Sequence, residues 1–161
     1  MREDYEITII GRQTIDAQTD EIQVDTLGDY TERGGAKYIS YTEYADEAPY
    51  NGQLKVLKIE NEDTVTMLTP GTPTRLVLEK GKRHKCLYDT GAGVLSLGVY
   101  TQTLKHDLSA AGGELCIRYT LDIDTQLSSS TVRQLLAASR PELMSVTFSP
   151  MTRRMVSLMM G

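Results

Sequence analysis

The sequence predicts an all-β fold: an antiparallel up-and-down barrel of about eight or nine strands, in a domain spanning residues 1–128. Three observations predict it. Apolar and polar residues alternate in several runs, most clearly from Glu114 to Asp124, where Leu115, Ile117, Tyr119, Leu121 and Ile123 share one face. Turn signals divide these runs at short, regular intervals. No long helical pattern interrupts the chain before residue 126, which argues against a parallel sheet with crossover helices. A meander of this length leaves two open edges unless it closes on itself, and closure makes a barrel.

The strands are read in order. The first, at 4–15, rests on the alternation of Tyr5, Ile7 and Ile9, and a turn follows at Ala17–Asp20. The second and third, at 21–33 and 36–44, meet at Gly34-Gly35, where glycine accepts the positive φ of a tight hairpin. The fourth, at 53–60, follows Asn51-Gly52, and its apolar phase slips between Val56 and Leu57, which predicts a bulge. Asn61-Glu62-Asp63, Pro70-Gly71 and Lys80-Gly81 then punctuate strands at 63–69, 73–80 and 83–90. Gly91–Gly93 leads into 93–106, with Leu95, Leu97 and Val99 in phase, and Gly112-Gly113 leads into 113–125.

Composition narrows the function classes. A chain of 161 residues is long enough to bury a core. Its net charge of −5 argues against general nucleic-acid binding, which needs clustered Lys and Arg on phosphates. The first residues carry no apolar core of a signal peptide, and no apolar run approaches the roughly 18 residues that cross a bilayer. Cys86 and Cys116 lie far apart without metal-ligand spacing, so they read as reduced thiols in a cytoplasm. A disulfide between them would require neighbouring strands.

Several segments carry a family resemblance. Glu79-Lys80-Gly81-Lys82-Arg83-His84 is followed by Leu87-Tyr88-Asp89-Thr90 and then Gly93-Val94-Leu95-Ser96-Leu97-Gly98-Val99. Gly28-Asp29-Tyr30 comes before them and Tyr119-Thr120-Leu121-Asp122-Ile123 after. In content and order, over residues 4–128, this set resembles the YwiB-like family of small bacterial proteins of unknown function. The resemblance implies a calycin-like (lipocalin-like) β-barrel and a cytoplasmic home. It implies no activity and no catalytic residues.

Four local signals bear on chemistry. Leu87-Tyr88-Asp89-Thr90-Gly91-Ala92 has the Asp-Thr-Gly of a retroviral-type aspartic protease turn, in which two carboxylates share a proton across a dimer. The favoured reading is a plain hairpin turn, with Asp89 bonding its own backbone. In the resembled family this spot usually carries Pro after the Thr. The basic run Lys82, Arg83, His84 and Lys85 after Lys80 is a candidate anion site, or else a solvated hairpin tip. Alternation places Arg83 and Lys85 on one face and Lys82 and His84 on the other, so one concerted site needs the turn to cooperate. His84 and His106 belong to no metal motif, and no metal or cofactor is expected. Tyr30, Tyr38 and Tyr41, with Tyr44 and Tyr50, cluster around the second to fourth strands. In a chain without Trp and with a single Phe they must do most aromatic packing, and they are also candidate ligand contacts at a barrel mouth.

After residue 128 the character changes. Residues 1–125 carry a net charge of −8, whereas residues 126–161 carry +3 and hold five of the seven methionines. Residues 129–161 are read as a separate basic, Met-rich tail, helical or disordered. One helix is expected near 131–139, capped by serines and stopped at Arg140-Pro141. A second is expected to open at Ser149-Pro150, with Met151, Met155, Leu158 and Met159 on one face. Such a tail either packs on its own acidic barrel or meets a partner or lipid surface.

The functional expectation is a non-enzymatic barrel that binds a small molecule or anion, as monomer or homodimer. The runner-up is an interaction protein using its outer surface, hairpin tips or tail. A filled interior would favour the second, and a lined void the first.

Overall fold

The computed structural model describes residues 4–15, 18–43, 52–89, 93–123 and 142–150. They form ten strands: β1 (Tyr5–Ile15), β2 (Gln18–Arg33), β3 (Ala36–Glu43), β4 (Gln53–Ile59), β5 (Thr64–Leu68), β6 (Arg75–Glu79), β7 (Arg83–Asp89), β8 (Val94–Ser109), β9 (Gly112–Ile123) and β10 (Glu142–Pro150). Each strand pairs antiparallel with its sequence neighbour, and β10 pairs with both β9 and β1 to close the ring. The barrel therefore has no strand without two neighbours.

Turn chemistry drives the meander. Gly34 and Gly35, at φ of 59° and 83°, make the two-residue hairpin whose twist matches the strands it joins. The Asp63 amide donates to the Asn61 side chain at 2.9 Å, the Asx turn that links β4 to β5. Gly71 and Gly81 supply positive φ between β5 and β6 and between β6 and β7.

The inner phase of each strand builds one core. Ile7, Ile39, Leu57, Val65, Leu78, Val99, Leu115, Ile117 and Val146 are all fully buried. Cross-strand rows such as Ile39–Leu57–Met67–Leu76 stack these side chains across the barrel. Gly28 makes one close approach possible: a Cβ there would collide with the Ser40 carbonyl oxygen and with Ile7 Cδ1. The absence of a side chain lets Ile7 lie across β2 and lets the sheet curve.

Three expectations need correction. The barrel has ten strands rather than eight or nine, because 142–150 forms β10. The boundary at 128 is therefore not the end of the barrel: part of the expected tail is its closing wall. Met144, Val146 and Phe148 alternate with Ser145 and Thr147 and bury one face, a period-two pattern. The expected helices at 131–139 and after Pro150 lie outside the described residues. The bulge predicted in β4 is not there, since its pairing with β3 and β5 runs without a shift. Val56 simply takes the outer phase, half-buried, while Leu57 points in. The register shift falls instead in β8, between Thr101 and Thr103.

Candidate functional site

The two ends of the barrel differ. At the end carrying the β2–β3, β4–β5, β6–β7 and β8–β9 turns, Tyr30 stacks on Phe148 with ring centroids 4.9 Å apart. Tyr5 packs edge-on against both, at 6.1 Å and 5.6 Å. The Tyr5 hydroxyl donates to the Ala110 carbonyl at 3.0 Å, and the Lys37 ammonium to the Leu108 carbonyl at 2.7 Å. His106 Nε2 lies 3.1 Å from the Asn61 carbonyl. Rings and ties thus seal this end.

Inside the plug, the Tyr30 hydroxyl is buried without a hydrogen bond of good distance and angle. Burial first, and then the charge of Glu32, push its pKa up to about 12.

The described residues of the opposite end carry a different set of side chains. Here Tyr41 of β3 pairs across to Lys55 of β4, and both are in phase with the core. Lys55 is half-buried, and its ammonium donates to the Thr69 hydroxyl at 3.0 Å. Among the described residues no carboxylate pairs with it. Met67 and Tyr88, on the same inner phase, keep solvent exposure, while Leu76 and Leu95 are buried behind them. Gly11 of β1 pairs with Met144 and so also faces in, and a Cβ placed there would meet nothing within 4 Å. Among the described residues, this end thus sets the Lys55 ammonium, without a carboxylate partner, beside phenols and apolar side chains.

The residues singled out from the sequence do not form one site. Arg83 reaches across the outer face of β8 to Asp122 of β9, Nη2 to Oδ1 at 2.6 Å. Gly98 lies beneath this pair, and a Cβ there would strike the guanidinium. Lys82 and His84 instead share Glu79, at 3.2 Å and 2.7 Å. Their hydrogen bonds, His84's foremost, hold the Glu79 carboxyl below its ordinary range. Lys85 points outward beside Gly98, exposed. The candidate anion site is thus already supplied with carboxylates, and its cations diverge. Tyr30 lies in the sealed end. Tyr38 faces out, with the Lys58 ammonium 5.9 Å from its ring centre. Of the seven candidates, Tyr41 lies at the Lys55 end, paired across to Lys55.

Asp89 ends β7, where its amide donates to the Thr74 hydroxyl at 2.8 Å. Thr74 and Thr72 bind the β5–β6 turn, so Asp89 is anchored as a strand-end residue. The rest of the Asp-Thr-Gly turn, 90–92, lies outside the described residues, as do Tyr44 and Tyr50. Cys86 on β7 and Cys116 on β9 are not joined in a disulfide, and β8 lies between their strands. Among the described residues no helix is long and apolar enough to cross a membrane.

The profile of a domain of unknown function (DUF1934) matches residues 7–135. The chain belongs to that family. The crystal structure of YwiB protein from Bacillus subtilis is similar at a TM-score of 0.73 and 18% identity, covering 91% of this chain and 90% of that one. At that identity the likeness speaks for the fold alone. Its coverage extends the resemblance past the end of the family match, which stops short of β10. No curated protein matches the chain.

Lys55 is the site residue that sequence reading missed. The signal was available: in Leu54-Lys55-Val56-Leu57 it shares the phase of Leu57 and Ile59, which puts a cation on the buried face.

Proposed function

We propose that this barrel binds a small, largely apolar molecule carrying an acidic or hydrogen-bond-accepting group, taken in at the Lys55 end. One observation carries the reading: rings fill the interior at one end, while at the other a half-buried ammonium, without a carboxylate partner among the described residues, lies among apolar side chains. Among the described residues this charge is offset by the Thr69 hydroxyl and not by a carboxylate, so an incoming anion gains a charge-assisted bond. Tyr41 and Tyr88 add apolar area beside it. The reading is one of binding by a calycin-like barrel rather than catalysis. Two cysteines outside any disulfide suit a reducing compartment such as the cytoplasm.

The test is native mass spectrometry on the full chain purified gently from bacterial cells, compared with denatured protein. A reproducible added mass, lost on denaturation and absent from Lys55→Ala, is the expected result. Bare protein from wild type and from a preparation incubated with anilinonaphthalene sulfonate, an apolar anion, would refute it.

A further inference from the structure

In a regular strand Tyr100 and Lys105, five residues apart, would point to opposite faces. The register shift in β8 between Thr101 and Thr103 brings them to the same one. Tyr100, Thr103 and Lys105 are exposed on the outer face, while Thr101, Leu104 and Leu108 are buried. Strand β9 adds exposed Arg118, which pairs with Thr103, and Thr120, which pairs with Tyr100. On the other side of β8 the β6–β7 turn is tied down. The Gly81 amide donates to the Thr101 carbonyl at 2.8 Å, and the Thr101 amide to the Lys82 carbonyl at 3.4 Å. These bonds hold exposed Lys80 beside Thr101.

Three cations, Lys80, Lys105 and Arg118, are thus set around a tyrosine that is 39% exposed. Among the described residues none of the three is in an ion pair. Lys82, Arg83 and His84 differ, since Glu79 and Asp122 hold them. The positions next to Arg118 on this face, Thr103, Cys116 and Thr120, carry no acid. The face is therefore locally positive on a chain whose net charge is −5. Arginine offers a carboxylate a planar fork of donors, and lysine offers a point charge. Tyrosine and arginine together are the side chains that carry most energy at protein interfaces.

We infer that the outer face of β8 and β9 around Tyr100 and Arg118 binds a short acidic segment of a partner protein. Length decides against nucleic acid. Exposed Asp122 bounds the patch on one side, and exposed Asp107 and Glu114 bound it on the other. The strand between Thr120 and Cys116 is about 13 Å long, the span of about four extended residues. Carboxylates of such a segment meet Arg118, Lys105 and Lys80, and an apolar side chain among them packs on the Tyr100 ring. A longer run of phosphates would continue over Asp122 or over Asp107 and Glu114, where like charge repels it.

The experiment uses the full chain and the anisotropy of a rhodamine-labelled peptide of about eight residues, with about three glutamates around one phenylalanine. The expected result is binding that weakens about tenfold in Arg118→Glu and in Lys105→Glu, and about threefold in Tyr100→Ala. Arg33→Glu makes the same charge change on the β2–β3 hairpin and should leave affinity as it is. An equal loss in Arg33→Glu, or no binding at about 1 mM peptide, would reduce the face to a solvated surface and overturn the inference. Tighter binding of a labelled single-stranded oligonucleotide of about eight nucleotides, lost in Arg118→Glu, would assign the face to nucleic acid and overturn it. A salt-sensitive oligomer that Arg118→Glu abolishes would assign it to a second copy and overturn it equally.

Discussion

Tyr30 is the residue at which structure and chemistry diverge most. Its ring completes the plug while its buried hydroxyl lacks a partner. Removing an unsatisfied buried hydroxyl while keeping the ring relieves a desolvation cost, so Tyr30→Phe should stabilise the fold by about 1 kcal/mol at neutral pH. The hydroxyl also sets an alkaline limit. Its folded pKa is raised from 10.0 to about 12, so its contribution is intact below pH 10 and is lost as pH rises through 12. Urea midpoints between these values should fall in wild type and fall less in Tyr30→Phe. Glu79 works in the opposite sense. Its carboxyl is held low by His84 and Lys82, so its contribution is present above its ordinary range and fades as pH falls. The stability gap between wild type and Glu79→Gln should therefore close in acid. At Gly28, where an added Cβ meets Ser40 backbone and Ile7, Gly28→Ala should cost about 2–3 kcal/mol in chemical denaturation.

At the scale of elements, β6 and β7 form the weakest seam. Arg75 and Leu87 are their single ladder pair, and the Val77 amide donates to the Cys86 thiol at 3.2 Å instead of to a carbonyl. Sulfur is a weak acceptor. Hydrogen exchange at Val77 should accordingly run about tenfold or more faster than at Leu115 and Ile117 in the β8–β9 pair. The elements themselves were largely legible. Nine strands follow from alternation and from Gly, Asn and Pro at the turns, because those signals are local. The partners of the basic run were not. Arg83 finds Asp122 two strands away, and no local pattern in the sequence gives that register. The same holds for Tyr30 and Phe148, which meet only because β10 closes against β1.

At the scale of the whole molecule, closure is the decisive feature. Removing everything after Ser130 deletes β10 and leaves the long edges of β1 and β9 without partners. That truncation should abolish cooperative unfolding seen by circular dichroism, an outcome a dispensable tail would not give. The sequence held the clue in Met144, Val146 and Phe148. The shift in charge and methionine content drew attention away from it. Closure also creates the asymmetry on which the functional reading rests, since Phe148 fills one end and Met144 sits opposite Gly11 near the other. The direct test is methyl nuclear magnetic resonance during titration with anilinonaphthalene sulfonate, in wild type and in Gly11→Leu. Entry at the Lys55 end predicts shifts at Met67, Leu76 and Leu95, none at Leu115 and Val146, and weakened binding in Gly11→Leu. Shifts centred on the Tyr30–Phe148 end, or no shifts at all, would contradict a barrel open at one end to a ligand.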